Sequence, residues 1–514
     1  MKIDLEKLPN SPTLLQDIIA DLSSALSTSQ QELSSYKEKY ANLLEEIRLA
    51  RQRRFAPSSE KDILQVDLFD EAGIEPLSEE TKEQLNDDIT VQTHTRKKHP
   101  ARSPLPKELP REVIMHDLPE AEKICACGAS LACIGQETSE QLKYIPAQLS
   151  VIQHVRPKYA CKPCEGNIKI ADMPLLLLPK SIATPELIAH TIVSKYVDHL
   201  PLYRQESIWK RLEIDLPRSS LCGWILKVAT LCEPLVTLLR TDIIRQNYVQ
   251  ADETTLQVLA EAGRSNTSTS YMWVYQGGNA LHRSVVFEYQ ETRAGEHAKT
   301  FLNGFKGYLQ TDAYSGYLWT EKEPDIVAVG CMAHARRPFA ELVKLTKTRG
   351  LAHEALEFFQ KLYAIEKQAR EAELSPEARY TLRNDKAQPI LAALKTYLER
   401  NLTKTSEQSK IGKAIRYALN HWTALTRYLQ DGRIEIDNNA VENRIRPFAV
   451  GRKNWLFSGS PSGAKAGATL YSLIETCRAN QVEPYAYFCA MLHRIRLCQT
   501  EEDYQKLLPQ FIQL

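Results

Sequence analysis

Residues 247–259 read Asn247-Tyr-Val-Gln-Ala-Asp252-Glu-Thr-Thr-Leu-Gln-Val-Leu259, an apolar-rich run interrupted by an aspartate. Tyr248 to Asp252 has strand character and runs on into Thr254 to Leu259. Tyr271-Met-Trp-Val-Tyr275 follows a Gly/Ser/Asn-rich turn at 263–270, and Ser284-Val-Val-Phe-Glu-Tyr289 follows Gly277-Gly278-Asn279, a hairpin signal. Three strands in a meander come first. A helix fits Ala294 to Leu302, strands fit Tyr308 to Asp312 and Ile326 to Val329, and a helix begins near His334. The order β-β-β-α-β-α-β-α is that of a ribonuclease-H-like domain, in which the first and fourth strands lie side by side. Asp252 and Asp312 each end an apolar strand, where a carboxylate is costly unless it binds a cation or is hydrogen bonded.

Outward from this core, 514 residues with 43% hydrophobic and 25% charged content imply several globular modules. From Leu15, the series Ile19, Leu26, Leu33, Tyr40, Ile47 and the series Leu15, Leu22, Tyr36, Leu43 keep heptad spacing. That pattern suits a coiled-coil oligomerisation helix over 1–56, with a homodimer as its partner state; a single amphipathic helix packed on its own chain is the plain alternative. Residues 57–115 read as an acidic linker running into a basic arm. Eleven Asp or Glu lie between Glu60 and Asp88, and six Lys or Arg lie between Arg96 and Arg111. Residues 116–180 hold two short thiol pairs, Cys125-Ala-Cys127 and Cys161-Lys-Pro-Cys164, separated by strand-like Gln141–Ile145 and Val151–Val155. Four thiolates closing a hairpin form a zinc ribbon with structural Zn²⁺, with Cys133 as a substitute ligand and unligated thiols as the alternative.

Residues 181–246 read as a helical domain, a possible helix-turn-helix with Ser219 or Ser220 as cap and Lys210, Arg211, Arg218 and Lys227 available for phosphates. The core's first part spans 247–335, a helical insertion 336–430, the rest of the core 431–480 and a C-terminal tail 481–514. The insertion offers many surface Glu and no privileged one. The longest aliphatic stretch, Leu175 to Leu178, is too short to span a bilayer, and eleven scattered Cys argue for reduced thiols; a cytoplasmic, nucleoid-associated protein without membrane contact is expected.

The third carboxylate comes from Asp437-Asn-Asn-Ala-Val-Glu442. With Asp437 as N-cap, Asn438, Glu442 and Arg446 share one helical face. The following Arg452, Lys453 and Trp455 suit phosphate contact and base stacking. His334 invites a metal or acid/base role or a DNA contact, against the plain reading of a helix-start histidine, and Arg336 and Arg337 can face DNA. No redox role is read into Cys331. Two Mg²⁺ ions held between Asp252, Asp312 and Glu442 would suit phosphodiester cleavage.

Ala251-Asp252-Glu-Thr, Gln310-Thr-Asp312-Ala-Tyr-Ser-Gly-Tyr, Gly330-Cys-Met-Ala-His334-Ala-Arg-Arg, and Asp437 to Glu442 with Gly451-Arg-Lys-Asn-Trp-Leu-Phe resemble the successive signatures of insertion-sequence-66 family transposases. The resemblance extends to His116-Asp-Leu-Pro, Tyr144-Ile-Pro-Ala-Gln and Pro484-Tyr-Ala-Tyr-Phe. It implies a DDE transposase in which Asp252, Asp312 and Glu442 bind Mg²⁺ or Mn²⁺, cut the element's terminal inverted repeats and join them to target DNA. It also implies accessory proteins encoded by the same element, and a helical insertion between Asp312 and Glu442. Two departures are visible: Gln250 stands where the family usually has His, and the first thiol pair is one residue short of C-x-x-C. A nuclease of the same fold that cuts without strand transfer, and a non-catalytic zinc-ribbon DNA-binding regulator, are the competing readings.

Overall fold

Five strands form one mixed sheet in the order β5-β4-β3-β6-β7 in the computed structural model. The structure describes residues 150–156, 158–161, 166–170, 172 and 174–514 except 279–281 and 346–348, with residues 16, 19–33, 36, 37 and 40. Strands β3 (Tyr248–Gln257), β4 (Thr269–Gly278) and β5 (Arg283–Gln290) make the antiparallel meander, while β6 (Gly307–Gln310) and β7 (Ile326–Val329) add in parallel on the other side of β3. The meander is as expected, but Asp252 lies mid-strand: β3 continues five residues past it, while β6 stops two before Asp312. A 3-10 turn over Ser315–Lys322 stands where the sequence order called for a helix between β6 and β7.

β4 is buried almost throughout because both of its faces are covered. Tyr275 stacks on Phe301 of α4 (Gly295–Phe301) at 3.7 Å, and Trp273 meets Tyr317 edge-on at 5.9 Å. The outer edge of β5 exposes the amides of Arg283, Val285 and Phe287, a ready template for unwanted pairing. Helix α12 (Pro461–Ala479) closes that edge with side chains one turn apart. Ser472 accepts from Phe287 N (2.8 Å), Thr476 from Val285 N (3.1 Å) and, just beyond the helix, Asn480 from Arg283 N (3.0 Å).

The helices α1 (Pro185–Tyr196), α2 (Leu202–Arg211) and α3 (Arg218–Ile244) join this core rather than forming a separate unit. α3 is, among the described residues, the one helix long and apolar enough to cross a membrane by length and composition. Its apolar residues face the protein interior: Leu221, Trp224, Val228, Leu235 and Leu239 are buried, and the helix packs on β5 and α12. Its N-cap is Pro217 with no side-chain cap, so neither Ser219 nor Ser220 serves; Glu206 accepts from Arg218 N instead (3.0 Å), a carboxylate at a helix start. Residues 481–514 are not a tail. Tyr487, Phe488, Met491 and Leu492 of α13 (Pro484–Arg494) are buried in the same core, with the helix packed on α1.

A second core gathers α5 (Met332–Leu345), α6 (Leu351–Glu371), α8 (Gln388–Leu402), α9 (Lys410–Asn420) and the short α10 (Trp422–Thr426) around Phe339, Phe359, Leu362, Leu394, Ile415 and Leu425. α5 itself belongs to it, so the insertion is welded to the sheet's far edge. α7 (Pro376–Leu382) leads into a buried Arg383, which bonds Glu366 (2.8 and 2.9 Å) and the carbonyls of Tyr428, Asp431 and Ile434. Glu366 departs from the expectation that the insertion's glutamates lie on the surface: its side chain is only 1% exposed and also pairs with Arg379 (2.6 Å).

Residues 19–33 are helical, with Ile19, Leu22, Leu26 and Leu33 exposed. Tyr36 and Tyr40 of the series are exposed as well; Leu15, Leu43 and Ile47, the 57–115 linker, and Cys125, Cys127, Cys133 and Cys164 lie outside the described residues. In the 77–175 unit, β1 (Lys158–Cys161) pairs antiparallel with β2 (Gly166–Ile170), Cys161 opposite Gly166. The expected strand at Val151–Val155 is absent there; Pro157, without an N–H, separates it from β1.

Candidate active site

The two buried glutamines of neighbouring strands do most of the local assembly. Gln250 of β3 donates to Gln310 of β6 (2.8 Å) and to the carbonyl of Asp437 (3.1 Å); Gln310 donates to the carbonyls of Glu435 (2.9 Å) and Gly330 (3.2 Å). Met332 N reaches Ile436 O (3.1 Å) and Asn438 N reaches Cys331 Sγ (3.2 Å). Segment 435–438 is thereby laid across the ends of β3, β6 and β7, and helix α11 (Asn439–Trp455) must start beside Asp252. Gln250 is thus a structural clasp.

The helix start is one residue later than expected. Asn438 is the N-cap, and Asp437 makes a local turn by accepting from Asn439 N (3.1 Å) while Tyr363 of α6 donates to its other oxygen (2.9 Å). Asp312 is held likewise: its carboxylate accepts from Tyr314 N (3.0 Å) and its carbonyl from Tyr417 of α9 (3.0 Å). Ala313, at φ 65°, turns the chain in the left-handed region directly after it. Two of the insertion's helices, α6 and α9, therefore brace the site.

Asp252, Glu253 and Asp312 bring carboxylate oxygens within 4.8 Å of one another, and Cys331, His334 and Glu442 do the same with their ligand atoms. Burial first, then the charges of Glu442, Asp312 and Glu253, push the Asp252 carboxyl well above its ordinary range. Glu253 is also raised, by burial and Asp312, although Arg293 bonds it (2.6 Å) and lies 3.9 Å from Asp312 while stacked over Tyr314. His334 is lowered to about 4 by burial and by Arg337, so its ring is neutral at pH 7. Its Nδ1 is 3.6 Å from Glu442 Oε1, and Arg337 is 3.9 Å from Oε2.

The structure brings Asp252, Asp312, Glu442, His334 and Arg337 together. It removes Asn438 from the DNA face: the residue is fully buried and donates to Ala251 O (3.1 Å). Arg452 is turned onto β3, bonding Thr254 (3.2 Å) and Thr255 Oγ1 (2.9 Å), and Trp455 packs edge-on against Phe448. These two are tied inward because α11 crosses β3 along its length. Lys453 is exposed, and Arg336 and Arg446 are half-buried. Glu253, which strand alternation alone sets on the face opposite Asp252, and Arg293, which no local signal marks, join the site without having been singled out in the sequence.

Residues 180–466 match the family described as Transposase IS66 family. The chain belongs to that family. Residues 122–165 match the zinc-finger binding domain of transposase IS66, 42–114 match Transposase C of IS166 homeodomain, and 472–510 match the IS66 C-terminal element. The chain is similar to two proteins of Sinorhizobium fredii (strain NBRC 101917 / NGR234): Uncharacterized protein y4jD, 36% identical over 402 residues (76% of this chain, 78% of the relative), and Uncharacterized protein y4qI, 33% over 494 residues (92% and 89%). As an IS66-family transposase it carries a zinc-finger DNA-binding domain, which makes DNA its partner and zinc a component.

Proposed function

We propose that the chain is a DDE transposase with a ribonuclease-H-like core, which binds the terminal inverted repeats of its element, cleaves there and transfers the cut strand to target DNA. The observation that carries this reading is the convergence of Asp252, Asp312 and Glu442 from β3, the end of β6 and α11, with the carboxylate form of Asp252 disfavoured first by burial and then by the charges of the other two. The strand order, with a three-strand meander and two parallel strands beside β3, supports the fold.

The donor set fits hard divalent cations, since crowded carboxylates repel one another until a dication neutralises them. Asp252, Asp312 and Glu442 would hold Mg²⁺ or Mn²⁺, which supplies activation of water or a 3′-hydroxyl and neutralises charge at phosphorus. Within the protein, Arg293 fixes Glu253 beside Asp312, and Arg337 lies against Glu442. Lys453, Arg446, Arg336 and Arg337 contact the DNA backbone. Cys125, Cys127, Cys161 and Cys164 hold the finger's Zn²⁺, and the exposed 19–33 stripe pairs two copies, with accessory proteins of the element as further partners.

Metal-dependent nicking of a supercoiled plasmid bearing the flanking repeats tests the reading. Wild type cuts at the repeat ends, and Glu442→Gln loses on the order of 10³-fold in rate, about 4 kcal/mol of transition-state stabilisation. Equal cutting by the two proteins would refute it.

A further inference from the structure

Cys331 ends the connection from β7 and His334 lies in the first turn of α5, so a three-residue spacing turns both side chains toward Glu442 on α11. Thiol, imidazole and carboxylate atoms within 4.8 Å of one another are not core packing material. The 3.6 Å between His334 Nδ1 and Glu442 Oε1 matches the roughly 3.3–3.8 Å that two ligands keep across a tetrahedral ion with bonds near 2.0–2.3 Å. His334 Nδ1 is buried and has no hydrogen-bond partner among the described residues. Asn438 N–H points at Cys331 Sγ (3.2 Å), the outer donor that a metal-bound thiolate needs.

We propose that Cys331, His334 and Glu442 form a three-donor site for a borderline divalent transition-metal ion of the Zn²⁺ or Co²⁺ kind. Sulfur and nitrogen donors favour such ions, whereas the all-oxygen group of Asp252, Glu253 and Asp312 favours Mg²⁺ or Mn²⁺. The charges balance. On binding, the Cys331 thiol releases its proton to solvent, and one thiolate plus one carboxylate neutralise the dication in a buried setting. A fourth position stays open for water or a substrate oxygen. The two halves of the site thus differ in hardness. The inference extends the proposed catalytic reading on its Glu442 side, yet it holds whether or not the chain cuts DNA.

The test is titration of full-length, zinc-supplied and reduced protein with Co²⁺, read by the near-ultraviolet thiolate-to-cobalt charge-transfer band. Cobalt in the zinc finger gives a band that Cys331→Ser leaves in place, so the difference between wild type and C331S isolates this site. A Cys331-dependent band is expected, with Co²⁺ affinity at this site falling in His334→Asn by at least the roughly 10–100-fold that loss of even an outer-shell partner costs. Circular dichroism checks that C331S is folded; if it is not, the H334N affinity change and the d–d spectrum of the wild type decide. Identical spectra in folded C331S and wild type, or unchanged Co²⁺ affinity in H334N, would overturn the proposal. Intact Mg²⁺-dependent nicking alongside that result would leave the DDE reading standing, and a Cys331-dependent band without nicking would do the reverse.

Discussion

Glu366, fully buried in the helical core, and Asp252, half-buried on the sheet, are carboxylates with opposite surroundings. Glu366 lies between two guanidinium groups, Arg379 and Arg383, and Arg383 spends its remaining donors on three backbone carbonyls. Asp252 faces Glu442, Asp312 and Glu253. The cluster around Glu366 closes its charges among protein groups, with Glu435 as the second partner of Arg379, as a buried ion pair must if it is not to cost several kcal/mol. The sheet core leaves its charges to be neutralised from outside. Burial alone therefore does not mark a site; the sign of the neighbours does.

The contrast can be broken in order of expected effect. Arg383→Met leaves Glu366 buried with half its compensation, so urea unfolding should show a loss of about 3–5 kcal/mol; a loss under 1 kcal/mol would show that the pair is not structural. Tyr363→Phe cuts one tie between the insertion and Asp437 at the start of the Glu442 helix. Nicking should slow roughly 10-fold with DNA affinity and melting temperature unchanged, the signature of a positioning group; an equal fall in affinity would assign Tyr363 to DNA binding. Asp252→Asn should act oppositely to Arg383→Met. Because the folded chain holds the Asp252 proton to higher pH than the unfolded chain, wild-type stability in metal-free buffer falls as pH climbs above about 4. The variant escapes that loss, so its melting temperature should exceed wild type by roughly 2–4 °C at neutral pH and match it at pH 3. A variant less stable at every pH would mean that Asp252 is bonded rather than repelled.

Much of the fold was legible locally. The strands at 248, 271, 284, 308 and 326 announce themselves by apolar alternation and by turns such as Gly277-Gly278, and Asp252, Asp312 and Glu442 stood out as acids in apolar or helical settings. What failed, failed for one reason. Asn438 looked like a surface amide on a polar stripe, yet it is wholly buried because Ala251 and Cys331 meet it there. Residues 481–514 looked like a tail because no partner for their apolar residues is near in sequence; the partner is α1, some 300 residues earlier.

The sequence by itself determined which segments are strand or helix and which residues carry charge, thiol or imidazole, because periodicity and side-chain chemistry are properties of neighbouring residues. Tertiary structure alone decided which of these groups face each other. Gln250 and Gln310 join segment 435–438 across separations of 187 and 125 residues, Arg293 reaches Glu253, and Cys331 and His334 close on Glu442. Those contacts are set by strand order and by how segment 435–438 bridges β3, β6 and the start of α5. No spacing along the chain encodes them.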